Sequence, residues 1–210
     1  EKLQHQKPLF EWYRSGKYID YQQNKIFYKA TEHLDKRCIL FLHGFPSSSY
    51  DYQSMWERLA QDFTLIAPDF LGFGFSDKPD KSYSIFEQVD IVRALLEHLG
   101  IKRFHVVAHN YGTIVAQELL AQHNEGVLGF EIERLALLNG SVFPELYKPT
   151  STQKLLISPI GGMLARLVGG NKGYFGRKLS GVFGPNTQPT AEQIDDFWQL
   201  NRFKIGRAHV

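Results

Sequence analysis

The sequence lacks most of the features that would assign it to a specialised class. Cys38 is the single cysteine among 210 residues, so no disulfide framework holds the fold. It sits inside the apolar run Cys38–Leu42, where a thiol packs as a small apolar side chain. No basic run exceeds two residues, and 24 Lys and Arg against 22 Asp and Glu leave a net charge of +2. Nucleic acid, which is bound largely through phosphate neutralisation, is therefore not an expected partner. No apolar run reaches the roughly 18 residues that span a bilayer. No secretory leader precedes the first structured stretch, although the chain opens on Glu1 rather than Met, which leaves room for a targeting or membrane-anchoring segment upstream. The Gly-spaced loop Asp69–Ser76 lacks the third glycine and the following helix of a dinucleotide fingerprint. No cofactor or metal is expected.

What is present reads as one ordinary globular domain. Tyr-, Ile- and Phe-rich stretches at Lys17–Tyr21 and Lys25–Lys29, parted by Gln22-Gln23-Asn24, predict a β-hairpin. Cys38–Leu42 is apolar without alternation, the pattern of a strand buried on both faces. Tyr52, Met55, Trp56 and Leu59 share a face of a helix predicted over 51–61, and a strand over 63–67 completes a βαβ unit. Ser84 with Glu87 has the form of a capping box ahead of an amphipathic helix over 85–99, stopped by Gly100. A third buried strand is predicted over 104–108, followed by a helix to about His123, and a fourth over 135–138 ends at Asn139-Gly140-Ser141. After Pro144, glycines and prolines interrupt short amphipathic pieces. Thr190 with Gln193 then caps a helix through Phe197, Trp198 and Leu200. These textures divide the chain into a core over 1–144 and a helical lid over 145–203. The tail 204–210 has neither cap nor period, and its codons can spell a sequencing adapter; it is expected to be non-native.

Alternating strands and helices predict a doubly wound, mostly parallel α/β sheet, whose ligands sit at the carboxyl ends of the strands. His43-Gly44-Phe45, Asp69, Asn110 and Asn139 fall at such ends and are expected to converge on one crevice. The sharpest signal is Ala108-His109-Asn110-Tyr111-Gly112. Small residues two before and two after its centre let strand and helix pack closely, while the central residue is strained and exposed, as in a nucleophile elbow.

With the elbow, the blocks His43–Pro46, Asp69–Pro79, Tyr83–Gln88, Ile114–Leu120 and Val182–Pro185 make the chain resemble the α/β-hydrolases of the epoxide-hydrolase-like group. The resemblance implies a hydrolase acting on an apolar small molecule or lipid-like substrate, resident at the endoplasmic reticulum and, in some members, attached to the membrane by an N-terminal segment. It implies a nucleophilic Asp at the elbow centre, where Asn110 stands, and an oxyanion hole made by the backbone N–H groups of Phe45 and Tyr111. His43 and Gly44 would shape the oxyanion turn, with His43 structural rather than the general base. Phe45, Phe70, Tyr111 and Phe143 would line the crevice, and Tyr147 or Tyr174 of the lid would donate a proton. A haloalkane dehalogenase fits less well, because Phe45 and Tyr111 stand where halide-binding side chains are wanted.

The chain departs from that pattern in two ways. Asn110 keeps nearly the shape of a carboxylate without its charge, so the elbow geometry is expected to survive and the covalent chemistry to fail. The second acid and the catalytic His that the resemblance implies after the lid do not appear, so the chain is expected to be a fragment whose strand over 135–138 is left as an apolar, aggregation-prone edge. His109, inside the elbow, is expected to pack or hydrogen-bond locally. Two rival readings remain: a non-catalytic binding or regulatory protein, and a read error at Asn110.

Overall fold

The computed structural model describes residues 7–140 and 171–203; Phe143, Tyr147, the first part of the expected lid and the tail 204–210 lie outside the described residues. Among those described, six strands form one sheet in the order β1-β2-β4-β3-β5-β6: β1 Lys17–Tyr21, β2 Asn24–Ala30, β3 Cys38–Leu42, β4 Thr64–Pro68, β5 Arg103–His109 and β6 Glu131–Leu138. The hairpin and β2 run antiparallel to their neighbours, while β4, β3, β5 and β6 are parallel. The helices are α1 Lys7–Arg14, α2 Gln53–Leu59, α3 Ile85–His98, α4 Tyr111–Asn124, α5 Lys172–Ser180 and α6 Ala191–Arg202.

β3 and β4 are buried at every position, and alternate residues feed two apolar clusters, one on each face of the sheet. Leu40 and Leu42 pack with Val92 and Leu96 of α3 and with Val115 and Leu119 of α4. Ile39 and Phe41 pack with Leu9 and Trp12 of α1, Trp56 of α2 and Leu200 of α6. Each such side chain contributes roughly 1.5–3 kcal/mol relative to exposure. Cys38 is buried in the first cluster, and burial pushes its thiol up to about 12.

Four expectations need correction. The helix expected over 51–61 is split into a 3-10 turn, Ser49–Tyr52, and α2, because the Ser48 hydroxyl accepts the Tyr50 N–H and starts the turn early. Ser84 does cap α3, through the Phe86 N–H, but Glu87 pairs with Lys81 at 2.5 Å. β6 begins four residues earlier than expected, at Glu131; as expected of an edge, it pairs only with β5 among the described residues, and Leu138 is 51% exposed. α1 was not foreseen, since its packing rests on the pair Leu9 and Trp12 in only two turns. The capping box of α6 forms as expected, with Thr190 and Gln193 bonding reciprocally at 3.2 and 2.9 Å.

Candidate active site

The elbow forms because β5 stops at His109 and α4 starts at Tyr111, leaving Asn110 alone to make the turn at φ 49°, ψ −118°. Positive φ costs a non-glycine residue, and Asn is among those that tolerate it best. Gly112 is required by close approach, since a Cβ there would strike the Leu42 carbonyl oxygen of β3. The backbone of Asn110 is fixed on both sides: its N–H donates to the Leu138 carbonyl of β6 at 3.0 Å, and its carbonyl accepts the Thr113 N–H at 3.0 Å. The segment after β6 closes in as well, because Gly140 packs against the Thr113 side chain.

The side chain of Asn110 is placed as firmly. Its Oδ1 accepts the Tyr111 N–H at 2.7 Å and the Phe45 N–H at 3.1 Å. Two backbone donors from different segments, the end of β3 and the head of α4, thus converge on one oxygen. Electrostatically this is a site for partial or full negative charge on that oxygen.

His43 lies at the end of β3 with no exposed surface. Its Nδ1–H donates to the Gly44 carbonyl at 2.8 Å and its Nε2 accepts the Phe70 N–H at 3.0 Å. Both ring nitrogens are engaged and burial holds its pKa below the usual imidazole value, so it carries no free lone pair for a substrate. Asp69, at the end of β4, is also fully buried. Its two oxygens accept the Ser49 and Phe75 N–H groups, each at 2.7 Å, while burial pushes its carboxyl up against the pull of His43 and these donors. Asp69 therefore braces two loops.

Phe45, Tyr111 and Phe70 come together as expected, with Phe73 among them. Phe45 is 59% exposed and stands edge-on to Phe73 at 6.2 Å. Phe73 meets Tyr111 at 5.5 Å, and Phe70 lies behind both, fully buried, at 5.6 Å from Tyr111. Phe73 was missed because its Gly-flanked loop position shows no periodicity. Tyr174 is on α5, where its ring meets Lys178 of the same helix; no contact among the described residues brings it to Asn110.

Three further contacts reach the loop that supplies the Phe45 N–H. His109 Nε2–H donates to Asp51 Oδ2 at 2.8 Å, a bond across 58 residues that spacing cannot show. From α6, Asp196 accepts the Tyr50 hydroxyl at 2.9 Å and Asn201 donates to the Pro46 carbonyl at 2.9 Å. Asp196 Oδ1 is buried with no partner among the described residues. Among those residues no group of His, Cys, Asp and Glu is arranged to hold a metal ion, and no helix is long and apolar enough to cross a membrane.

Residues 37–152 match the family described as "alpha/beta hydrolase fold". The chain belongs to the α/β-hydrolase family. It is 45% identical to the mesoderm-specific transcript protein of Mus musculus over 94% of this chain and 61% of that protein. It is 37% identical to the putative hydrolase LipZ of Mycobacterium tuberculosis over 93% of this chain and 67% of that one. The solved structure of the epoxide hydrolase CorEH without ligand superposes with a TM-score of 0.72 at 25% identity, covering 92% of this chain and 69% of that one. The chain thus spans about three-fifths of the length of its mouse relative.

Proposed function

We propose that this chain is an epoxide-hydrolase-like hydrolase by descent, with a crevice for an apolar small molecule or lipid-like substrate, in which Asn110 has removed the covalent nucleophile. The observation that carries the reading is the two-donor seat around Asn110 Oδ1. With Asp at this position, one carboxylate oxygen attacks the epoxide carbon, the ring C–O bond breaks, and the alkoxide takes up a proton. The ester carbonyl oxygen then occupies the seat. Water adding to that carbonyl, with its proton lost to bulk solvent, places negative charge on the same oxygen, where the Phe45 and Tyr111 N–H groups stabilise it. Collapse of this intermediate frees the diol and restores the carboxylate.

An amide keeps the shape and the seat but has no anionic oxygen to attack carbon. Removing a covalent nucleophile costs on the order of 10⁶ in turnover in a well-studied protease, so the reading assigns this chain negligible turnover by that route. Phe45, Phe73 and Tyr111 supply the apolar wall, and α5 with α6 is the described part of the proposed lid. Residence at the endoplasmic reticulum and membrane attachment belong to the same proposal and rest on the family resemblance alone.

The test offers an epoxide panel to the chain with Asn110 and to the Asn110→Asp variant, and maps covalent mass at residue 110. An ester adduct is expected in the variant and none in the chain with Asn110. Ligand binding without an adduct in either form would favour the non-catalytic binding protein, a reading already supported by the neutral side chain filling the seat.

A further inference from the structure

We infer that Asp51 and His109 are positioning residues that hold the Phe45 N–H on the elbow oxygen, an inference that rests on the reading of that oxygen's seat as the site of chemistry. The two donors are not equally secured. Tyr111 is covalently next to Asn110 and stays in place with the elbow. Phe45 belongs to a different segment, its side chain is largely exposed, and its N–H is the longer bond, 3.1 against 2.7 Å. Something must set the distance between the loop after β3 and the end of β5.

A closed circuit of side chains does so. Ser47 N–H donates to the Gly44 carbonyl at 3.3 Å, and Ser47 Oγ–H donates to Asp51. The same Asp51 oxygen accepts His109 Nε2–H at 2.8 Å. The other edge of that imidazole returns to the start: a Cβ on Gly44 would lie 2.6 Å from His109 Cε1 and Nδ1, and 2.7 Å from Asn110 Cβ. Gly44 is therefore seated against residues 109 and 110, and only its lack of a side chain lets the ring lie over it. Phe45 follows Gly44 directly, so displacing the ring or releasing Asp51 moves the donor. The contact is half-buried rather than exposed, with His109 at 29% and Asp51 at 14% side-chain exposure, so the bond is shielded from full competition with water.

Asp51 and His109 touch neither the elbow oxygen nor the attacked carbon in this scheme; they act through Gly44 and Phe45. Misplacement of a donor by about 1 Å can reduce a rate by roughly a hundredfold.

The inference is tested by hydrogen exchange of the Phe45 and Tyr111 amides, followed by NMR in Asp51→Ala, His109→Ala and the isosteric Asp51→Asn. Loss of the circuit speeds exchange at Phe45 by roughly tenfold, the effect of about one net hydrogen bond, and leaves Tyr111 unchanged. Asp51→Asn lies between, because its Oδ1 still accepts the imidazole N–H. In the Asn110→Asp background, Asp51→Ala also slows ester formation with styrene oxide by about 10- to 100-fold with little change in KM, and Asp51→Asn restores most of the rate. Unaltered Phe45 exchange in the folded variants overturns the inference whatever the epoxide does. Altered exchange without an adduct in any protein carrying Asn110→Asp supports the positioning role and sinks the hydrolase reading instead.

Discussion

Asp69, at the end of β4, and Asp196, in α6, are both buried carboxylates, and they differ in how many of their oxygens find a donor. Asp69 has a backbone N–H on each oxygen and Gly74 packed directly against it, with no room for a Cβ. Asp196 has one hydroxyl donor, from Tyr50, and an oxygen with no partner among the described residues. A fully bonded buried charge fixes the loops around it, whereas a half-bonded one leaves its element only modestly held. The same loop, residues 44–52, is gripped by both: Asp69 holds Ser49 and Asp196 holds Tyr50. This loop is thus braced on one side and loosely docked on the other.

The contrast between the two carboxylates breaks most sharply at Asp69. Asp69→Asn turns one acceptor into a donor facing an N–H, and should cost about 3 kcal/mol in urea denaturation; a loss no larger than that of a surface substitution would deny the brace. Next comes Asn201→Ala, which removes the bond from α6 to the Pro46 carbonyl and should cost about 1 kcal/mol by the same measurement. The smallest effect is expected at Asp196. Burial raises its carboxyl above the ordinary value of 3.8, so its contribution to stability is complete below that value and is lost as pH rises through the folded one. Asp196→Asn should remove this slope, which sets in as pH rises above 3.8. It should raise neutral-pH stability by less than about 1 kcal/mol, because the amide nitrogen inherits the unpartnered place. A variant that kept the slope would transfer it to another group.

Much of the frame was legible because burial on both faces leaves an unmistakable trace. Cys38–Leu42 and Thr64–Ala67 are apolar almost throughout, and the small-x-polar-x-Gly elbow carries its geometry in its own residues. β6 was half-read for the opposite reason: as the edge strand among the described residues it bears Glu131, Glu133 and Arg134, and Glu131 and Glu133 pair with Arg103 of β5 at 3.1 and 2.9 Å. Charged side chains hid the strand until Leu135. The site divides along the same line. Asn110, Phe45, Tyr111 and His43 announce themselves in local motifs, while Asp51–His109 and Tyr50–Asp196 join residues 58 and 146 positions apart. No local pattern encodes such pairs.

Cys38 has a practical consequence. Its thiol is buried at the start of β3 and held protonated far above neutral pH, and the chain contains no other cysteine. Alkylating reagents act on the thiolate and need access, so labelling is blocked until the central strand is uncovered. Modification at this one atom becomes a clock for opening of the sheet centre, read without adding any reporter to the molecule.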